Sequence, residues 1–300
     1  MKLECNLEGM ISYSQFDYTG KRLAVVNSDR IIRLYSYIDN SLSEISRLDS
    51  HLGEILSLSW SHPKFGSLLA SSGSDRKLIV WREQSLRTWN SVFEHNDSAI
   101  INCLSFAPWE LGLKLIAGLE DGSILLVFFN NSWTVEKFSG HHCAIKTLAW
   151  GNSVSLINGL NSTEPQFRFI AGTFDGKLKL YTQSENSFIS ETLEKHAGCI
   201  RDVSWNPIIS SNKEIFASCS ERCVIIWVKK LDDPVWKPKD ILSFPAPVWK
   251  VSWNSVGNSL AISVADNFTR VLKENNEEHW KVVQQVNPKG EVEEFGLGNE

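Results

Sequence analysis

Six times along the chain an apolar pair ending in alanine runs, four or five residues later, into an acidic residue, and six residues further on comes a bulky apolar or aromatic one. The pairs are Leu23-Ala24, Leu69-Ala70, Ile116-Ala117, Ile170-Ala171, Phe216-Ala217 and Leu260-Ala261. The acids that follow, Asp29, Asp75, Asp121, Asp175, Glu221 and Asp266, stand 46, 46, 54, 46 and 45 residues apart. A near-constant period of this length is the mark of a repeat architecture, and it decides the fold before any single element is assigned.

Each period reads as four strands. In the second, Ile55, Leu58 and Trp60 belong to a first strand, Leu68-Leu69-Ala70-Ser71-Ser72 to a second and Lys77-Leu78-Ile79-Val80-Trp81 to a third, with a fourth near Ser91-Val92-Phe93. Gly73-Ser74-Asp75-Arg76 supplies the turn between the middle two, where Gly and Asp tolerate special backbone angles. Four short strands per period, six times over, predict an all-β, six-bladed propeller. Two aromatic series agree. Phe16, Trp60, Phe106, Trp150, Trp205 and Trp253 end the first strands, and Tyr35, Trp81, Tyr181 and Trp227 close four third strands, with Val127 and Leu272 in the other two. Such rings bury large areas between sheets and account for much of a total of 12 tryptophans.

Composition narrows the function classes. The 300-residue chain has 42% hydrophobic residues, yet no run approaches the ~18 apolar residues of a membrane span. The opening Met1-Lys2-Leu3-Glu4-Cys5-Asn6 lacks the order of a secretory signal, so cytoplasmic or nuclear residence is expected. Cys5, Cys103, Cys143, Cys199, Cys219 and Cys223 fall at unmatched places in the repeats and read as small hydrophobes, not a disulfide framework. A net charge of −5 without a Lys/Arg run lacks the footprint of a nucleic-acid binder.

A histidine opens four repeats: His51, His95, His141 and His196. Metal ligation would need ligands converging on one ion, whereas equivalent positions in different blades point to separate places. The alternative is a structural tie, each ring bridging a loop to its own blade's acidic turn and serine-bearing strand. The pattern His51, Asp75, Trp81 resembles the internal tie of the WD-repeat family, and that resemblance extends over all six repeats. It assigns blade-stabilising roles to His51, Asp75, Trp81, His95, Asp121, His141, Asp175, Tyr181, His196, Glu221 and Trp227. Two departures stand out: the first and last repeats have no such histidine, and Glu221 replaces the aspartate of the fifth.

No catalytic, metal or cofactor site is expected. His141-His142-Cys143 and Cys219 with Cys223 lack zinc-ribbon spacing. Gly118-Leu119-Glu120-Asp121-Gly122 lacks the Lys-Ser/Thr of a phosphate loop, and there is no G-x-S-x-G elbow. The boundaries predicted are an N-terminal extension 1–9, repeats at 10–48, 51–94, 95–138, 141–193, 196–243 and 244–286, and a disordered tail 287–300 of Gly, Pro and charge. An extra loop of polar, turn-forming residues spans Gly151 to Gln166 in the fourth repeat.

The ends of the array carry the functional expectation. Many WD-repeat rings close by placing an N-terminal strand on the outside of the last blade. Here the first repeat begins its own inner strand by Ile11, and the last supplies its own outer strand at Trp280 to Gln285, leaving only Leu3, Cys5 and Leu7 to compete for that edge. An unlocked seam is expected to recruit a strand from another chain. The seam would be formed by Ser12, Tyr13, Ser14, Gln15 and Phe16 with Val248, Trp249, Lys250, Val251, Ser252 and Trp253.

Several stretches carry a narrower resemblance: Trp60-Ser61-His62-Pro63-Lys64-Phe65-Gly66 with Leu69-Ala70-Ser71-Ser72, His95-Asn96-Asp97-Ser98 with Phe106-Ala107-Pro108, Ile200-Arg201-Asp202-Val203-Ser204-Trp205-Asn206-Pro207, and Val248-Trp249-Lys250-Val251-Ser252-Trp253 with Gly257-Asn258-Ser259-Leu260-Ala261. From residue 8 to about residue 286 the chain resembles the small WD-repeat subunit of the outer cage of the COPII vesicle coat. The resemblance implies a non-enzymatic scaffold, an open six-bladed propeller completed in trans. Its implied partners are a large helical COPII outer-coat subunit and a helical nucleoporin, each inserting a blade, with neither nucleic acid nor membrane insertion. It further implies peripheral location on the cytoplasmic side of the endoplasmic reticulum and on COPII vesicles, and a place in the nuclear pore outer ring. Two other readings stay open at the sequence level: a sister WD-repeat nucleoporin, and a WD-repeat peptide-binding adaptor such as a ubiquitin-ligase receptor.

Overall fold

The computed structural model describes residues 10–296 apart from 40, 86, 154–166, 185–186, 195, 209–211, 231 and 234. The N-terminal extension 1–9 and most of the polar loop 151–166 therefore lie outside the described residues. The chain divides into two compact units, Met1–Leu148 and Ala149–Glu300. In the first, β1 (Ile11–Phe16), β2 (Arg22–Asn27), β3 (Ile32–Ile38) and β4 (Ser41–Leu48) form one antiparallel sheet in chain order. A second comprises β5 (Ile55–Trp60), β6 (Leu68–Gly73), β7 (Lys77–Ser85) and β8 (Thr88–Asn96), and a third β9 (Ile101–Phe106), β10 (Lys114–Leu119), β11 (Ser123–Asn130) and β12 (Ser132–Ser139).

The fourth sheet is β13 (Ile145–Trp150), β14 (Arg168–Thr173), β15 (Lys177–Ser184) and β16 (Ser187–Glu194). The fifth sheet is β17 (Asp202–Trp205), β18 (Lys213–Cys219), β19 (Cys223–Lys230) and β20 (Lys237–Ser243). The sixth is β21 (Val248–Trp253), β22 (Ser259–Val264), β23 (Thr269–Glu274), β24 (Trp280–Val286) and β25 (Val292–Glu294). Six sheets of this order make the fold an all-β, six-bladed β-propeller. The tail differs from expectation: β25 adds a fifth strand to the sixth blade, pairing Val286 with Val292 and Gln284 with Glu294. A turn closed by Gly290 N–H to Asn287 carbonyl makes the short return possible, so residues 287–294 are ordered.

Alternation explains why the third strands of the second, third and fifth blades carry continuous apolar runs. In β7, Ile79 and Trp81 belong to the cluster shared with Ala24, Val26, Ile32 and Leu34 of the first blade. Their neighbours Leu78 and Val80 belong to the cluster shared with Ile101, Leu104 and Leu115 of the third. Successive side chains point to opposite faces, so a sheet covered on both sides needs a continuous apolar run. In the second unit, likewise, Phe216, Ile225 and Trp227 pack towards the fourth blade while Ala217, Val224 and Ile226 pack towards the sixth.

The repeated acid has a local cause. Asp29, Asp75, Asp121 and Asp266 each accept a hydrogen bond at Oδ1 from the backbone N–H two residues on, at 3.2, 3.2, 2.9 and 3.1 Å. The residue after each acid is left-handed: Arg30, Arg76, Gly122 and Asn267, with φ of 68°, 64°, 81° and 66°. These are Asx turns, for which a short carboxylate side chain is needed. Gly176 after Asp175 is left-handed as well.

Candidate functional site

The second blade contains a complete polar tie. Asp75 sits in the β6–β7 turn and faces His51 Nδ1 at 3.1 and 3.0 Å from its two oxygens. His51 Nε2 lies 2.8 Å from Ser71 Oγ, and Trp81 Nε1 donates to that same oxygen at 2.9 Å. Proton accounting fixes every direction. Burial lowers the pKa of His51 against the pull of Asp75, so the ring is neutral. Asp75 ends below the ordinary carboxylate range: its burial would raise it, but His51 and the Leu52 and Lys77 N–H groups outweigh that. The carboxylate accepts a hydrogen bond from Nδ1–H, Nε2 is left as acceptor, and the Ser71 hydroxyl donates to it while accepting from Trp81. Leu52 N–H adds a further bond to Asp75 at 2.9 Å, so the loop before β5 is tied to the turn after β6.

The fifth blade repeats this with a change of partner. His196 Nε2 meets Ser218 Oγ at 2.7 Å, and Trp227 Nε1 donates to Ser218 at 2.9 Å. His196 Nδ1, however, lies 2.9 Å from Ser220 Oγ, and Glu221 does not take the aspartate's place as the sequence suggested. Between Cys219, paired with Val224, and Ser72, paired with Leu78, the fifth-blade turn is one residue shorter. A glutamate in a turn of that length cannot form the Asx bond, and the preceding serine moves under the imidazole.

His95 departs from expectation altogether. It lies on β8 of the second blade opposite Leu78, and its Nε2 stands 3.5 Å from Asp97 Oδ2, not against Asp121. The third blade instead bridges two carboxylates with one ammonium group: Lys137 Nζ is 2.7 Å from Asp97 and 3.3 Å from Asp121. Burial acts to raise the Asp97 carboxyl, but Lys137 and the Ala99 N–H outweigh it and bring it down to about 2. In the fourth blade, the His141 N–H bonds the Gly122 carbonyl at 2.8 Å. Asp175 accepts from Thr173 Oγ1, and Tyr181 is buried and stacked on Phe169 at 4.7 Å, its phenol pushed up by burial.

The first and sixth blades, which lack the histidine, share a substitute. Asp29 is gripped by Arg33, and Asp266 by Arg270 at 3.1 and 2.6 Å. Both arginines stand four residues after the acid, on the third strand. That Asp-x-x-x-Arg spacing occurs at these two turns alone among the six repeats, and it is the signal by which sequence reading could have found them.

Neighbouring sheets within each unit are also bonded. Arg22 reaches Glu83 at 2.7 Å, and Arg168 makes two bonds of 3.0 Å to Glu214 with both side chains 4% exposed. Trp60 Nε1 donates to the Gln15 carbonyl at 3.1 Å, and Trp253 Nε1 to the Ser204 carbonyl at 3.0 Å.

Those last bonds bear on the predicted seam. Gln15, Val251 and Trp253 are engaged within their own units, Val251 through its N–H to Asp202 Oδ2 at 3.0 Å. Every inner strand, β5, β9 and β17 included, is the edge of its sheet, so an unpaired backbone edge does not single out β1 or β21. Face exposure does. β5 is almost wholly buried, whereas β1 has no buried residue; Phe16 is 48% exposed and Trp249 of β21 is 54% exposed. Ser12 and Ser14 flank Tyr13, which packs against the cluster shared with the second blade, and Lys250 and Ser252 point to solvent.

Nothing in the described residues forms a group of three or more His, Cys, Asp or Glu side chains suited to a metal ion. Cys103 and Cys219 are buried, Cys143, Cys199 and Cys223 half-buried. Burial pushes the thiols of Cys219 and Cys223 up, which opposes nucleophilic use. No helix is long and apolar enough to cross a membrane.

Comparison with known proteins agrees with the blade anatomy. The family described as "WD domain, G-beta repeat" matches residues 42–82 and 188–228, each ending within the third strand of a blade whose histidine reaches a serine that also accepts from a tryptophan. The chain is similar to a protein transport protein sec13 of Aspergillus fumigatus, 34% identical over 286 residues, covering 90% of this chain and 94% of that protein. It is 35% identical to its Coccidioides immitis counterpart, SEC13, over 93% of this chain and 96% of the other. The SEC13 homolog of Drosophila melanogaster is 30% identical over 93% of this chain and 82% of its own. Identity of this extent, running through terminal as well as central blades, places the chain in the Sec13 family of WD-repeat proteins.

Proposed function

We propose that this chain is a non-enzymatic scaffold subunit of the COPII outer coat, acting in vesicle budding at the cytoplasmic face of the endoplasmic reticulum, and a subunit of the nuclear pore outer ring. Its partners in this reading are a large helical coat subunit and a helical nucleoporin, each contributing a strand-rich segment that covers the open faces of the terminal blades. The observation that carries the reading is the contrast between β5, buried among its neighbours, and β1, which has no buried residue, in a chain similar throughout to proteins named for protein transport. The contacts are expected at sheet faces, through Phe16 and Trp249, more than at strand edges. Mechanically, a propeller clamped on a helical rod stiffens it, and a stiffer cage edge imposes curvature on a membrane it never enters.

The experiment is purification of the tagged chain from its own cells with mass spectrometry of what accompanies it. A helical coat rod or a helical nucleoporin is expected, and recovery should fall with Phe16→Asp or Trp249→Asp. Absence of both partners would sink the proposal. So would a chain that, expressed alone, is a stable monomer whose terminal blades resist hydrogen exchange as strongly as the central ones.

A further inference from the structure

The sixth sheet alone carries a fifth strand, and none of the blade ties explains it. Among the described residues, β4, β8, β12, β16 and β20 each end their sheets with an uncovered edge. The unpaired N–H and C=O groups of such an edge recruit other strands unless charge, proline, short length or register shifts blunt it. Each of the five carries charge within its length, at Glu44, Glu94, Glu136, Glu191 and Asp240 respectively, and β20 adds Pro238. The longest uncharged run among them, Thr88 to Phe93 of β8, belongs to a strand with two register shifts against β7. Strand β24 is different. Its one charge, Lys281, stands beside its start, and Val282-Val283-Gln284-Gln285-Val286 contains neither charge, proline nor glycine. A segment of that make-up, rich in β-branched residues, is the kind that pairs with itself.

β25 lies along this run. It pairs Glu294 with Gln284, Glu293 with Gln285 and Val292 with Val286, and the Phe295 N–H donates to the Val283 carbonyl at 2.7 Å. The return is built: Asn287 Oδ1 accepts the Glu291 N–H at 2.9 Å, and Gly290 takes a left-handed φ of 75°. Yet β25 buries none of its side chains. Backbone bonds hold it, with Gln284 Nε2 donating to Glu294 Oε1 at 3.0 Å, and a strand so held belongs to the part of a fold that opens most readily. The new edge that β25 presents is blunt. It is three residues long, and its neighbours Glu293 and Glu294 point to opposite faces, so an approaching strand meets a carboxylate on either side.

We infer that β25 is an edge guard for the sixth blade, and that the β24 edge, once uncovered, pairs antiparallel with the β24 edge of a second copy of this chain. The sequence of β24 suits that occupant. A two-fold axis through Gln284 sets Val282 against Val286 and Gln284 against its own counterpart, a self-complementary pairing in which no like charges are opposed. The device concerns the outer edge of one sheet, so it is independent of the terminal-blade faces and of the partners inferred for them.

The test is sedimentation velocity over a range of concentrations, comparing the full chain with one shortened to end at Val286. Any association through the terminal-blade faces is common to both, so the difference reports the β24 edge. The cross-strand pairs gained should make self-association of the shortened chain at least about tenfold tighter. Gln284→Lys in the shortened chain should return it to the full-chain value, because two ammonium groups then meet at the axis; aggregation of a misfolded chain would not be reversed by that one charge. A full-length variant tests the strand without deletion. Glu293→Pro with Phe295→Pro removes the N–H that reaches Val283 and, by the alternation of an antiparallel ladder, the one opposite Gln285. It should associate as the shortened chain does. Overturning results are a shortened chain no more associated than the full one, association that Gln284→Lys leaves in place, or a proline variant indistinguishable from the full chain.

Discussion

Replacing Ser71 by alanine removes one oxygen and tests the whole proton accounting of the second blade. Ser71 is fully buried, and its hydroxyl serves His51 Nε2 at 2.8 Å and Trp81 Nε1 at 2.9 Å. The variant leaves an imidazole acceptor and an indole donor unpaired in residues 4% exposed each. An unpaired buried group costs about 1–3 kcal/mol, so the range for two is about 2–6 kcal/mol, with about 3 expected after local relaxation. In a chain of this size that lowers Tm by roughly 5–10 °C. Urea unfolding followed by tryptophan fluorescence gives the free energy. The second arm is a double-mutant cycle with Trp81→Phe, which deletes the indole donor beforehand. On that background Ser71→Ala should cost about 1–2 kcal/mol less than on the wild type. A loss within about 0.5 kcal/mol of zero, which is surface-mutation behaviour, or strict additivity in the cycle, would refute the shared-oxygen arrangement.

Three further outcomes follow from other parts of the molecule. Arg168→Met should cost about 3–5 kcal/mol by stranding the buried Glu214 carboxylate, while Arg168→Met with Glu214→Leu should recover most of that loss, as read from urea midpoints. Burial lowers His196 to about 4 from its ordinary 6.5, so the unfolded chain binds a proton that the folded one refuses. That stability is full above pH 6.5 and drains as pH falls towards 4, by on the order of 2 kcal/mol at pH 5, and His196→Gln should remove this share of the acid loss while leaving that of His51, whose pKa burial also lowers. Asp97, held at about 2, adds its own loss only below the ordinary carboxylate range and does not disturb that window. Gly257→Ala should cost about 1–3 kcal/mol more than Gly20→Ala in thermal unfolding: both have φ near +70°, but only at Gly257 would the added carbon meet an atom, Asn206 Oδ1 at 2.1 Å.

The strand pattern was legible because each blade obeys local rules. Apolar runs such as Leu78 to Trp81 announce a strand covered on both faces, and the first-strand aromatics Phe16 through Trp253 stand at strand ends as their spacing suggested. The histidine ties were legible only in part. His51 and His196 close onto serines as well as turns, but His95 belongs to an outer strand and Lys137 does its work from across the sheet. Spacing along the chain does not report which side chain a loop presents to a turn. Nor did it report that a turn shortened by one residue would hand the role of Glu221 to Ser220.

By itself, then, the sequence determined the repeat, the four-strand blade and a turn at each recurring acid, because these depend on alternation and on contacts a few residues apart. Tertiary structure decided what depends on atoms brought together from distant positions. It decided which polar groups meet, as Ser71 meets both His51 and Trp81, and that Arg33 and Arg270 stand in for missing histidines. It ordered β25 against β24, where low apolar content had suggested disorder but backbone pairing with an available edge suffices. And it left β1 exposed where β5 is buried, a difference that lies in neighbouring sheets, since both strands carry the same kind of alternating, aromatic-ended segment.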